Sequence, residues 1–86
     1  MDELRLDGNA VGGLLREVFG LEVTSAGSRC RGCGARELLG ALHAYVVAPG
    51  VVLRCPHCEG VLVRLVRDTD RYWLDLSGVS YLELGA

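Results

Sequence analysis

Apolar and polar positions change their period along the chain, and each change marks a different element. Between Gly8 and Phe19, Ala10, Val11, Leu14, Leu15, Val18 and Phe19 fill one half of a helical wheel. Gly12, Gly13, Arg16 and Glu17 fill the other half. That separation predicts an amphipathic helix over about residues 8–19. Asp7 stands where an N-cap carboxylate accepts backbone hydrogen bonds, Leu6 and Val11 occupy staple positions, and Gly20 is placed as the C-terminal stop. Each interior glycine costs about 1 kcal/mol relative to alanine. The helix is therefore expected to form only by docking its apolar half.

Beyond the helix the period shortens. Leu21 to Ser25 alternates as a short strand would, and Ala26-Gly27-Ser28 reads as a loop. Glu37 to Val47 is apolar and ambiguous at first, since Leu38, Leu39 and Leu42 also suit a helical turn; from Leu42 onward Tyr45, Val46 and Val47 favour a strand. Ala48-Pro49-Gly50-Val51 matches a type II turn, and Val51 to Arg54 returns as its partner strand. Val61–Arg67 and Tyr72–Leu76 form a second hairpin if Thr69 and Asp70 are its loop. That register sets Arg67 against Tyr72, Leu65 against Leu74 and Val63 against Leu76 on one face. On the other face it sets Val66 against Trp73 and Arg64 against Asp75. Gly78 interrupts, and residues 79–84 suit a final strand.

Into this pattern are set the only four cysteines, Cys30-Arg31-Gly32-Cys33 and Cys55-Pro56-His57-Cys58, with 21 residues between the pairs. A Cys-x-x-Cys turn aims two thiolates at one ion, and a second such turn completes a tetrahedron. Gly34 follows the first pair directly, whereas Glu59 precedes Gly60 after the second. Cys-x-x-Cys also serves thiol–disulfide exchange, but there it opens a helix in a βαβ unit, and both pairs here sit among strands and turns. A catalytic zinc keeps one position open to water, which four thiolates do not. Cys30, Cys33, Cys55 and Cys58 are thus expected to bind one structural Zn²⁺.

Size reinforces this expectation. In 86 residues, apolar burial at about 25 cal/mol per Å² nearly cancels an ordering entropy of about 1.5 kcal/mol per residue. Structural zinc adds roughly 10–16 kcal/mol of apparent binding energy, much of it folding energy. The acidic start Met1-Asp2-Glu3-Leu4-Arg5 has no export-signal character. Leu38 to Leu53 is uncharged but only 16 residues long and is broken by Pro49-Gly50, short of the about 20 a membrane span needs. A cytoplasmic protein with reduced thiols and no membrane contact is expected.

The formal charge is −2, unevenly spread. Residues 29–67 carry six arginines against two acids, while residues 1–28 carry five acids against two arginines and residues 68–86 four against one. All nine basic residues are arginine, a side chain suited to phosphate and carboxylate. Tyr72 and Trp73 with Arg64 and Arg67 suit a stacking platform for nucleic-acid bases, against the plainer reading that Trp73 packs beneath the helix. His57 is expected to point into solvent, and His43 to be a partly buried, hydrogen-bonded residue rather than a ligand. No phosphate loop, nucleophile elbow or open metal position is present in the sequence, so no enzyme is expected.

The opening Met1-Asp2-Glu3-Leu4-Arg5-Leu6-Asp7-Gly8-Asn9-Ala10, the paired knuckles and Asp70-Arg71-Tyr72-Trp73-Leu74-Asp75-Leu76 resemble a family of small bacterial zinc-ribbon proteins catalogued as a domain of unknown function. The resemblance runs over nearly the whole chain. It implies a ribbon with zinc ligands at the four cysteines, and it implies no activity.

The expected architecture is one small α+β domain over residues 1–86, its N-terminal amphipathic helix packed on an antiparallel zinc-ribbon sheet, with the ribbon at about residues 28–77. The expected role is a non-enzymatic zinc-held adaptor for a protein partner. A nucleic-acid-binding ribbon is the alternative, and a thiol redox protein the distant one. Half the residues are hydrophobic, more than so small a core hides, which makes an exposed apolar patch or a homodimer plausible.

Overall fold

A computed structural model of the chain describes residues 5–85. The acidic residues 1–4, which bear on the export-signal expectation, lie outside that range. Among the described residues, eight strands form two antiparallel sheets beside one short α-helix. The first sheet has the order β1-β4-β5-β6-β7, built from β1 (Arg5–Asp7), β4 (His43–Val47), β5 (Gly50–Arg54), β6 (Val61–Arg67) and β7 (Tyr72–Asp75). The second has the order β3-β2-β8, from β2 (Gly27–Cys30), β3 (Arg36–Leu38) and β8 (Val79–Glu83). No helix among the described residues is long and apolar enough to cross a membrane.

The helical segment opens with a 3₁₀ turn, Gly8–Val11, and continues as α1 (Gly12–Phe19). Asp7 caps the turn by accepting from the Ala10 N–H at 3.2 Å. Gly20, at φ +76°, ends the helix in the left-handed conformation and donates to Arg16 O. Leu15 and Val11 are buried, and Leu14, Val18 and Phe19 pack against the same core. That core is the inner face of the five-stranded sheet, where Ala44, Val51, Leu53, Val63 and Leu65 are all buried. Alternation along β4, β5 and β6 places these five residues on one side. Burying each leucine or valine contributes about 1.5–3 kcal/mol, which is what holds a two-glycine helix in place.

Several expectations need correction. Residues 21–25 are not a strand: Glu22 accepts from both the Thr24 N–H and its hydroxyl, and Ala26 N–H donates to Val23 O at 2.9 Å. Those bonds close a turn that drops Val23 into the core. Ala26-Gly27-Ser28 is only in part a loop, since β2 starts at Gly27. The first hairpin turns one residue earlier than expected, with Val47 opposite Gly50 and a cis Ala48–Pro49 peptide at its corner. That is a type VI pattern rather than type II. Gly50 therefore serves close approach, because a Cβ there would lie 2.1 Å from Leu65 O. The second hairpin has the expected register from Arg64 opposite Asp75 to Arg67 opposite Tyr72, closed by Asp68 N–H to Arg71 O at 2.9 Å.

Trp73 is not packed beneath the helix; it is 58% exposed. The helix covers the face bearing Leu65 and Leu74, and Trp73 shares the opposite, outer face with Val66.

Candidate metal centre

Each cysteine pair hangs from a different sheet. Cys30 ends β2 and Cys33 lies in the turn toward β3; Cys55 follows β5 and Cys58 lies in the turn toward β6. The two turns share one backbone pattern. Gly34 N–H donates to Cys30 O and Cys30 N–H to Ala35 O; correspondingly Glu59 N–H donates to Cys55 O and Cys55 N–H to Gly60 O, all at 2.8–2.9 Å. The residue after each second cysteine is left-handed, Gly34 at φ +81° and Glu59 at φ +64°. Glycine adopts that conformation freely, and glutamate does so at a cost.

This backbone turns N–H groups onto the sulfurs. Cys33 N–H points at Cys30 Sγ, His57 N–H at Cys55 Sγ and Gly60 N–H at Cys58 Sγ, each at 3.4 Å. The four sulfurs lie within 4.8 Å of one another. The contacts Cys30–Cys58 and Cys33–Cys55, each between knuckles, measure 3.7 Å. A tetrahedron of 2.3 Å metal–sulfur bonds has edges of about 3.8 Å, so the donor set fits one tetrahedral ion. Cys30 and Cys55 are buried, and Cys33 and Cys58 are exposed. The Cys33 N–H holds the Cys30 thiol down to about 7. At Cys58 the Gly60 N–H lowers the pKa, but proton sharing with Cys30 and burial push it up to about 11. Metal binding needs all four as thiolates and displaces their protons, so affinity weakens as the pH is lowered.

Around the cysteines, His57 is exposed and its Nε2 meets Glu37 Oε2 at 2.7 Å. His43, half-buried, meets Glu59 Oε2 through Nδ1 at 3.1 Å. Arg31 ties the first knuckle to the region of β8 by donating to Ser77 O and Val79 O at 2.9 and 3.0 Å. This link spans nearly fifty residues, and no local pattern announces it.

The four residues considered for a stacking platform do not share a face. Tyr72 donates its hydroxyl to Glu17 on the helix, and Arg67 lies 3.5 Å from the same carboxylate. That contact and the negative charge raise the Tyr72 pKa above its ordinary value. Trp73 and Arg64 stand on the outer face instead. A row not foreseen from the sequence does cross the second sheet, where Arg36, Arg29 and Tyr81 are direct neighbours. Neither Arg29 nor Arg36 has an ion-pair partner among the described residues.

These features define a small antiparallel α+β domain with a four-cysteine cluster able to hold a metal ion, compatible with a zinc ribbon. The chain belongs to the family described as a family of unknown function (DUF6510), which it matches over residues 2–86. No curated protein and no solved structure matches it.

Proposed function

We propose that the chain is a non-enzymatic interaction module held by one structural Zn²⁺ on Cys30, Cys33, Cys55 and Cys58, and that it binds a protein partner on the outer face of its five-stranded sheet. The carrying observation is that face. Val47 and Trp73 are 57% and 58% exposed there, in one row with Gly50 and Val66. A depression of about 370 Å³ lined by Tyr45, Val47, Val52, Arg54 and Glu59 opens on the same face. An uncovered apolar face of this kind suits a partner. Its charges are mixed, with Arg64 beside Asp75 and with Arg54 and Glu59 both lining the depression, so it offers no basic patch to phosphate. The thiolate site calls for a reducing compartment, in keeping with a cytoplasmic protein.

A second reading rests on the Arg36–Arg29–Tyr81 row, whose two guanidinium groups, without an ion pair among the described residues, and ring suit single-stranded nucleic acid. One experiment separates the two. Protein purified without added metal should contain about one zinc per chain; disulfides in place of metal under reducing conditions would sink the zinc assignment. Immobilised zinc-loaded chain should then retain a protein from source-cell extract, and Val47→Glu should abolish the retention. Retention of nucleic acid that weakens with salt and disappears in Arg29→Ala/Arg36→Ala would replace the adaptor reading with the second.

A further inference from the structure

The rim of β7 is a feature that the outer-face reading leaves unused. β7 is the last strand of its sheet, all four of its residues are exposed, and three of them are Tyr72, Trp73 and Leu74. The free rim of such a strand presents unpaired backbone N–H and C=O groups, a template for another strand. End strands are commonly guarded by lysine, proline or a bulge. β7 contains neither residue, and its ladder to β6 runs without a register shift.

We propose that β7 pairs antiparallel with β7 of a second copy of this chain, about a twofold axis centred on Trp73. A twofold perpendicular to the sheet keeps each face continuous, so odd-numbered residues fall opposite odd ones and even opposite even. Centred on Trp73, the pairing sets Tyr72 opposite Leu74 of the second copy, Trp73 opposite Trp73, and Asp75 opposite Arg71. Each of these pairs is favourable; the next pair out, Asp70 and Leu76, lies beyond the ends of β7, and Leu76 packs against the core instead. Centring on Tyr72 instead sets Trp73 against Arg71 and Leu74 against Asp70, and centring on Leu74 sets Trp73 against Asp75. Both alternatives oppose apolar to charged side chains. Within one chain Arg71 reaches Asp70 at 3.4 Å, and both are well exposed, so that contact is weak and readily exchanged. Asp75 already faces Arg64 on β6 and gains a second guanidinium across the axis. Charge and apolar complementarity thus select a second copy over a phosphate-bearing partner, which would meet Asp70 and Asp75 at this rim.

The dimer goes beyond the adaptor reading, because rim pairing leaves the outer face open and widens it across the axis. Light scattering and sedimentation of the zinc-loaded chain over a concentration series should show a dimer. Far-ultraviolet circular dichroism should show an exciton couplet from the two Trp73 rings, lost in Trp73→Phe. Arg71 lies in an exposed turn, so Arg71→Glu tests the interface without touching the core. It should raise the dimer dissociation constant about tenfold, while Arg71→Lys leaves it unchanged. A chain monomeric at every concentration, or a dimer indifferent to Arg71→Glu, overturns the proposal. A monomer that still captures a partner through its outer face overturns rim pairing alone; a dimer that captures nothing overturns the adaptor reading alone.

Discussion

Replacing Gly34 by alanine should cost about 1–2 kcal/mol, the penalty for an L side chain in the left-handed region. Gly34 sits at φ +81° in the first knuckle. A Cβ there would have Arg29 Nη2 as its nearest neighbour, at 3.5 Å. That is ordinary contact, so no clash adds to the backbone term. In a domain of this size the loss lowers the melting temperature by roughly 5–15 °C. The equivalent change in the second knuckle runs the other way. Glu59→Gly relieves a similar strain at φ +64°. It also loses the His43 contact, with Glu59 half-exposed, worth at most about 1 kcal/mol. Glycine adds about 0.4–1 kcal/mol of freedom to the unfolded chain as well. The net effect should lie within about 1 kcal/mol of zero. Thermal unfolding followed by circular dichroism at fixed free zinc makes the comparison, since bound metal adds to apparent stability. Gly34→Ala melting with the wild type, or Glu59→Gly losing as much as Gly34→Ala, would refute the assignment of strain to these two positions.

Three further outcomes follow. Leu15 is 1% exposed, so Leu15→Ala should cost about 2–5 kcal/mol, read as a lower denaturation midpoint; an unchanged midpoint would mean the helix does not dock on the sheet. Trp73, where the chain is monomeric, should emit as a water-exposed indole and be quenched by iodide, and a blue-shifted, protected emission would place it under cover. Tyr72 should ionise above its ordinary range because its protonated hydroxyl donates to Glu17. The stability from that bond is present below the unfolded tyrosine pKa and is lost as pH rises through the folded one. Glu17→Gln should bring the absorbance titration of one tyrosine back toward the ordinary value, and a titration that ignores Glu17→Gln would contradict the contact.

The cysteine cluster and the second hairpin were legible because their signals are local. Two-residue spacing closes a knuckle within five residues, and alternation on both faces of residues 61–76 left few registers open. The caps at Asp7 and Gly20 read correctly for the same reason. β1 was hidden because three residues, Arg5-Leu6-Asp7, make no apolar run, and it forms only as a border to β4. The split into two sheets depends on β8 returning to β2, a pairing of distant segments without local pattern. Trp73 was misplaced because alternation tells which residues share a face but not which face is covered. Leu65-Leu74 and Val66-Trp73 are both apolar pairs, and only the docked helix distinguishes them.

The alternation of shelter within the cysteine cluster has a consequence for timing rather than affinity. In each knuckle the first sulfur is buried and the second lies open. A bound ion would therefore have a screened side at Cys30 and Cys55 and an accessible side at Cys33 and Cys58. A competing ligand displaces sulfurs stepwise and must begin where it can reach. Two chelators of equal affinity should then strip the ion at unequal rates, the slim one quickly and the bulky one slowly. Alkylating reagents should mark Cys33 and Cys58 before the inner pair reacts at all.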